Sequence, residues 1–383
     1  MVIKNIKIVT NKEVIENGYI SIANNKILLI GRGSYAGNDN EVIDGKGKIA
    51  MPGFVDIHIH GSCGIDFMDA SPEEIKTIAD TLYSEGVTTF MATTLTSDYE
   101  SLKKVCENVK AAKEFVPSLG GIHFEGPYIN AKYKGAQNEA FIRNPNIEEF
   151  NDLCAISGNN VRYIAMAPEK EGAVEFIKNA VANGVTVSAG HSDATFDEVK
   201  NAIDVGLTNT THTHNAMSGH HHRNPGIVTA AMYFDQLYCE VICDTIHVCP
   251  NTLKAFYKIV GPDRFIMITD ALKAKHSSLE HFQLFGLDCE RKNGAAYLLT
   301  GPLAGSLLTM DQGLRNVRDI TGAPLVDLAK ISSTNAAKSL HLNEIGEIKE
   351  GKNADIVLLN DELKVMNVYK NGVEVYRKWL SLF

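Results

Sequence analysis

The sequence lacks the features that would place it outside a reducing, aqueous compartment. Its 383 residues hold only seven cysteines. The count is odd and the positions run from Cys63 to Cys289, which argues against a disulfide framework and for a reducing cytoplasm. The longest apolar runs, such as Ile356–Leu359, fall far short of the roughly 20 residues that a spanning helix needs. The start, Met1-Val-Ile-Lys-Asn-Ile-Lys, alternates as a strand does and has neither the apolar stretch nor the cleavage site of a signal peptide. Positive charge is also in deficit, with 37 Lys and Arg against 46 Asp and Glu and a formal net charge of −9. That balance excludes general affinity for nucleic acid or anionic membrane. No glycine-rich dinucleotide fingerprint follows the first central strand. With 44% hydrophobic and 22% charged residues, the composition is that of a globular chain long enough to bury a large core. A soluble cytoplasmic protein is expected.

Two rhythms run along the chain. Residues 2–30 alternate in short apolar runs broken by Asn17-Gly18 and Asn24-Asn25, and residues 345–379 do the same around Asn371-Gly372, as hairpins do. Each end is marginal alone, so the two are expected to pair. Residues 1–50 and 340–383 then form a small β-sandwich domain, and residues 51–339 form the catalytic body. In that body eight apolar, β-branched runs recur: Phe54–His60, Val87–Leu95, Gly121–Glu125, Val161–Ala167, Val185–His191, Asn209–His214, Cys239–Asp244 and Arg264–Asp270. Helical patterns separate them, the first opened by Ser71-Pro72-Glu73-Glu74, a cap, an N1 proline and a capping-box glutamate. The others cover about 99–115, 146–156, 172–182, 195–205, 226–235, 251–260 and 309–321. Near-continuous apolar strands alternating with helices predict a parallel sheet buried on both faces. Eight such units match a (β/α)8 TIM-like barrel of the α/β class, although an open doubly wound sheet fits the count nearly as well.

Polar residues gather at the ends of these runs: His58 and His60 on the first, Glu125 on the third, His191 on the fifth, His212 on the sixth and Asp270 on the eighth, with His247 just past the seventh. Strand ends converge at one mouth of a barrel, and His58 and His60, two apart, share a face. Buried imidazoles need partners, and a divalent metal satisfies several at once. Three other features read more plainly. His220-His221-His222 is expected in a solvated or substrate-facing loop. Cys239, Cys243 and Cys249 lack the paired spacing of a structural zinc site and are expected as core thiols. Gly301-Pro302-Leu303-Ala304-Gly305-Ser306 is a glycine-rich loop able to cradle an anion.

The stretches Pro52–Gly61, His123-Phe124-Glu125-Gly126-Pro127, Ser188-Ala189-Gly190-His191-Ser192, Thr211-His212 with Asn215-Ala216-Met217, and Ile268-Thr269-Asp270 resemble the amidohydrolase superfamily, essentially end to end. Within it, the likeness is to the branch that removes acetyl groups from phosphorylated N-acetyl amino sugars. The resemblance implies that Glu125, His191 and His212 bind metal, and that His58 and His60 match the extra pair of two-metal members. One or two divalent ions are then expected, zinc or iron first and cobalt or manganese next. It implies Asp270 as the catalytic carboxylate. It also implies substrate contacts from Ala136, Gln137, Asn215, Ala216, Arg223, His247, Leu303, Ala304 and Gly305. Arg223 matches a residue that reaches the sugar phosphate of a neighbouring subunit, so a homodimer is expected. Thr213-His214 and Thr245 depart from the family pattern and are expected to alter the pocket wall. The galacto epimer of the substrate is therefore kept beside the gluco epimer. A cyclic amidase, with Lys170 near the fourth strand's end, and a non-catalytic metal-binding regulator are the more distant readings.

Overall fold

The computed structural model describes residues 1–378; the last five residues of the expected small domain, and so residue 379 of the β-rich tail, lie outside the described residues. The eight central runs form the strands of a barrel: β1 (Phe54–Ile59), β2 (Val87–Thr93), β3 (Leu119–Glu125), β4 (Val161–Met166), β5 (Thr186–Ala189), β6 (Asn209–Thr210), β7 (Tyr238–Ile242) and β8 (Phe265–Ile268). Neighbours in sequence are neighbours in the sheet, all parallel. β8 and β1 close the ring through bonds at its upper edge, where the Asp270 N–H donates to His58 O (2.8 Å) and the His60 N–H to Ala271 O (2.9 Å). Closure therefore happens at the site itself and fixes Asp270 against the His58–His60 pair.

The intervening helices follow their sequence signals. In Pro72–Leu82 the Ser71 hydroxyl accepts from the Glu74 N–H (3.2 Å) and Glu74 accepts from the Ser71 N–H (2.8 Å), a reciprocal cap. Its buried face is Ile75, Ile78, Ala79 and Leu82, the spacing of a helix laid on a sheet. Each large apolar side chain so buried contributes about 1.5–3 kcal/mol. At the opposite end from the site, the segment after the last barrel helix plugs the barrel. Ser333 donates to Gly53 O (2.7 Å) and Asn335 to Phe265 O (2.7 Å). Ala336 and Leu340 pack there with Val55, Ile57, Tyr163, Ile266 and Ile268.

The two termini share one eight-stranded sheet. Ile49–Pro52 is its seam, parallel to Lys7–Ile8 on one side and antiparallel to Ile356–Leu359 on the other. Ile3, Ile6, Ile8, Ile20, Ile356 and Leu358 give it a core of its own. A buried Lys370–Asp355 pair (2.8 Å) whose ammonium also faces Thr89 of β2 ties it to the barrel.

One element was not foreseen. Between β8 and the helix Met310–Thr321 the chain makes a four-stranded antiparallel sheet, His281–Leu284, Leu287–Lys292, Ala295–Leu298 and Leu303–Ser306. Its strands are short, and two of its turns are Phe285-Gly286 and Asn293-Gly294, all four residues at positive φ, a tight-hairpin geometry. Gly301-Pro302 is accordingly a turn and Leu303–Ser306 a strand rather than a loop. That strand returns to the barrel mouth, where the Ser306 N–H donates to Asp270 O (2.8 Å). Gly305 permits the approach, since a Cβ there would lie 3.1 Å from Asp270 O and 2.9 Å from Leu272.

Candidate metal centre and active site

Glu125, the last residue of β3, is the hub. His191 Nε2 lies 3.0 Å and His212 Nε2 3.1 Å from Glu125 Oε1, with His58 Nε2 at 3.2 Å; His60 Nε2 faces Oε2 at 3.4 Å. Asp270 Oδ1 sits 3.3 Å from His60 Nε2 and 3.5 Å from His58 Nε2. Two ligand groups result, His58–His60–Glu125 and Glu125–His191–His212, and Glu125 belongs to both. All these residues are buried.

Local backbone explains how they meet. His58 lies within β1 and His60 one residue past it, and their rings are 5.3 Å apart, as alternation requires. His191, His212 and Asp270 each lie two residues beyond the end of β5, β6 and β8, at φ 47°, 30° and 50°. Positive φ is rare for a residue with a Cβ and clusters at functional sites. Here it turns three side chains into the mouth. Gly190 allows the first of these turns, because a Cβ there would fall 2.6 Å from Thr211 Cβ.

The electrostatics ask for a cation. Burial alone would push the Glu125 carboxyl up, but His58 and His191 outweigh it and hold it well below the usual range. Burial likewise opposes the charged form of His60, yet Asp270 and Glu125 raise its pKa to about 9. His58 is raised well above the ordinary value against the same burial penalty, by Asp270 and Glu125. Protons gather where positive charge is missing. The donor set fits a metal: His58 Nε2 is buried with no hydrogen-bond partner, the His191 and His212 Nε2 atoms face each other at 3.1 Å, and imidazole with carboxylate suits zinc, iron, cobalt or manganese.

A cavity of about 300 Å³ opens over this centre, lined by His60, Glu125, Ala136, Gln137, His191, His212, Asn215, Ala216, His247, Asp270, Leu303, Ala304 and Gly305. Those thirteen were all named from sequence. Of the other two residues named, His58 lies beneath the surface, touching Glu125 without lining the cavity. Arg223 is exposed and lines a separate cavity with Asp193, Phe196 and Ser218. Gln137 lines the wall but is engaged at both ends, donating to Glu125 and accepting from the Thr96 N–H (2.7 Å). His247 is held by Asp244, Nδ1 to Oδ2 at 2.6 Å. That bond offsets the burial penalty and raises its pKa.

Several expectations need correction. Thr213 and His214 do not form the pocket wall. Thr213 is fully buried with its hydroxyl on Thr210 (2.8 Å), and His214 packs edge-on against Phe256 (4.7 Å). Cys239 and Cys243 are core thiols, but Cys249 is exposed, at the solvent-facing start of the helix Pro250–Val260. His220–His222 are exposed, as a solvated loop should be. Lys170 reaches only Ile129 O (3.3 Å) and stays outside the cavity. The sequence reading missed Lys132 and Tyr133, which line the cavity; the basic run Lys132-Tyr133-Lys134 just before Ala136-Gln137 was the available signal. It also missed Glu240 and Asp244, which stand behind histidines and leave no periodic trace.

Residues 49–375 match the amidohydrolase family. N-acetylglucosamine-6-phosphate deacetylase from Lysinibacillus sphaericus is 36% identical over 375 residues, 97% of each chain. A variant of the N-acetyl-D-glucosamine-6-phosphate deacetylase from Mycobacterium smegmatis, solved in complex with N-acetyl-D-glucosamine-6-phosphate, superposes with a TM-score of 0.92 at 29% identity, over 98% of this chain and 99% of that one. N-acetylgalactosamine-6-phosphate deacetylase from Escherichia coli O157:H7 is 32% identical over 85% of this chain and 87% of its own.

Proposed function

The chain belongs to the amidohydrolase family, and from that premise we propose that it hydrolyses the acetamide of N-acetylglucosamine 6-phosphate to glucosamine 6-phosphate and acetate. The observation that carries this reading is the Glu125 carboxylate ringed by four imidazole nitrogens at 3.0–3.4 Å, with Asp270 alongside on the floor of a sugar-sized cavity. His58, His60, Glu125, His191 and His212 would hold one or two divalent ions, zinc or iron being the leading candidates. A cation there would supply Lewis acidity toward water and the amide carbonyl.

The rest of the chemistry falls to the chain. Burial would raise the Asp270 carboxyl, but neighbouring positive charge, here that of His58 and His60, lowers it, and a cation held by those histidines would supply the same sign of charge. Asp270 takes a proton from the attacking water and returns it to the amine nitrogen as the C–N bond breaks. Without that proton the leaving group would be an amide anion. His247, its Nδ1–H donated to Asp244, presents Nε2 to the substrate and donates from it as the imidazolium that Asp244 favours. Leu303, Ala304 and Gly305 wall the cavity beside Asn215 and Ala216 and limit solvent around the reacting bond.

The phosphate needs positive charge. Lys132 is the one Lys or Arg among the cavity's lining residues, and Arg223 opens elsewhere. We assign Arg223 to the phosphate of a second copy, whose guanidinium fork suits it, in a cytoplasmic homodimer. Arg223→Ala should lose about ten- to a hundredfold in kcat/KM on the phosphorylated sugar, the worth of a charge-assisted hydrogen bond. Mixing that variant with Asp270→Asn subunits should recover part of the activity, because one hybrid site is complete; no recovery would refute the shared site.

The direct test is acetate release from N-acetylglucosamine 6-phosphate, with and without chelation, beside the galacto epimer. The expected result is metal-dependent release, faster on the gluco epimer. The galacto reading draws support from the relative of that activity, and a galacto preference would establish it. In either case Thr213 and His214, which face away from the cavity, do not make the choice.

A further inference from the structure

Every metal-facing histidine has a second ring nitrogen, and what holds that nitrogen sets the tautomer and the aim of the first. His191 Nδ1 lies 2.9 Å from Tyr133 O and His212 Nδ1 3.1 Å from Asn215 O, both main-chain carbonyls. His60 Nδ1 is buried without a partner. His58 is different: its Nδ1 lies 3.2 Å from Oε2 of Glu240, a residue of β7, two strands from β1 around the ring. Both side chains are fully buried. The same oxygen also accepts from the His212 N–H at 3.2 Å, the residue at φ 30°.

We propose that Glu240 is a positioning residue for the metal centre: it fixes His58 with the proton on Nδ1 and the lone pair of Nε2 toward Glu125, and so governs how tightly the ion at His58–His60–Glu125 is held. The proposal rests on the reading of these residues as metal ligands. A carboxyl group buried in a barrel is costly unless it is hydrogen-bonded; Glu240 Oε1 has no partner among the described residues, and both donors to Oε2 belong to ligands, the ring of one and the backbone of another. Glu240 therefore spans both halves of the centre, but unequally. Among the described residues the His212 ring has its own carbonyl partner, whereas His58 Nδ1 has Glu240 alone and Nδ1 of its companion His60 has none. Loss of Glu240 should loosen one ion more than the other.

The test is metal binding rather than turnover. Chelated protein is titrated with zinc by calorimetry, and retained zinc per subunit is counted by mass spectrometry. Glu240→Leu removes the acceptor at similar volume, and Glu240→Gln keeps a neutral one; His58→Gln serves as the reference. Affinity for the ion that His58→Gln weakens should fall about ten- to a hundredfold in Glu240→Leu and less in Glu240→Gln, with the other ion changed much less. A purely structural role would lower thermal stability and weaken both ions together. If Glu240→Leu does not fold, Glu240→Gln decides. Unchanged affinities in a folded Glu240 variant, with His58→Gln impaired, would overturn the role of Glu240 alone. Unchanged affinities in His58→Gln would overturn it together with the assignment of His58 as a ligand.

Discussion

His58, His60 and Glu125 reach the barrel mouth from β1 and β3 with no positive φ, whereas His191, His212 and Asp270 reach it from turns, each two residues past a strand end and each at positive φ. The first group needs no left-handed backbone. The second costs about 1–3 kcal/mol of backbone strain per residue, which the surrounding bonds must offset. At His191 they come from Asn130, whose N–H donates to its carbonyl (2.8 Å), and from Glu169, which accepts from Ser192 (2.6 Å) and the Asp193 N–H (2.8 Å). At Asp270 they come from His58 and Ser306 on either side. One half of the centre is thus a property of the sheet, and the other is built by the loops around it.

The contrast can be pressed hardest at Asp270, a turn residue with no counterpart in the strand-borne half. Asp270→Asn preserves the positive φ, which Asn tolerates, and leaves all five ligands in place. Turnover should fall by about 10²–10⁴, the usual worth of a general acid–base group, with metal content and melting temperature unchanged. An active variant, or one that lost its metal, would remove the distinction between proton carrier and ligands. A smaller effect tests the backbone argument directly. His191→Val places a β-branched residue at φ 47° and should be about 1–3 kcal/mol less stable than His191→Asn, measured by urea unfolding of chelated protein. His60→Val against His60→Asn should show no such penalty, because His60 is not at positive φ. Equal penalties at both positions would mean that the turns carry no special strain.

The same division decides what could be read from sequence. Strand alternation made the His58–His60 pair legible, and the β-branched runs gave the barrel strands, from which the convergence of Glu125, His191, His212 and Asp270 followed. The positive φ values were not legible, since nothing in Gly190-His191 or Thr211-His212 announces them; Thr213 and His214 were placed in the pocket wall from the resemblance alone. The sheet His281–Ser306 was missed because its strands are four to six residues long, although Asn293-Gly294 is a good hairpin signal. Glu240 and Asp244 act by standing behind other residues, a relation that exists only once the barrel has closed. Arg223 was named from resemblance, and its distance from the cavity of its own chain emerged only from the fold.

If His58, His60, Glu125, His191 and His212 hold one metal centre, hydrolysis depends on it. The most direct measurement is to strip the protein with chelator, add zinc back stepwise, and follow acetate release from N-acetylglucosamine 6-phosphate against zinc bound per subunit. The account predicts negligible release from the stripped protein and activity that returns with binding and saturates by two ions. Full activity in the stripped protein, or zinc bound to saturation with no acetate released, would contradict it.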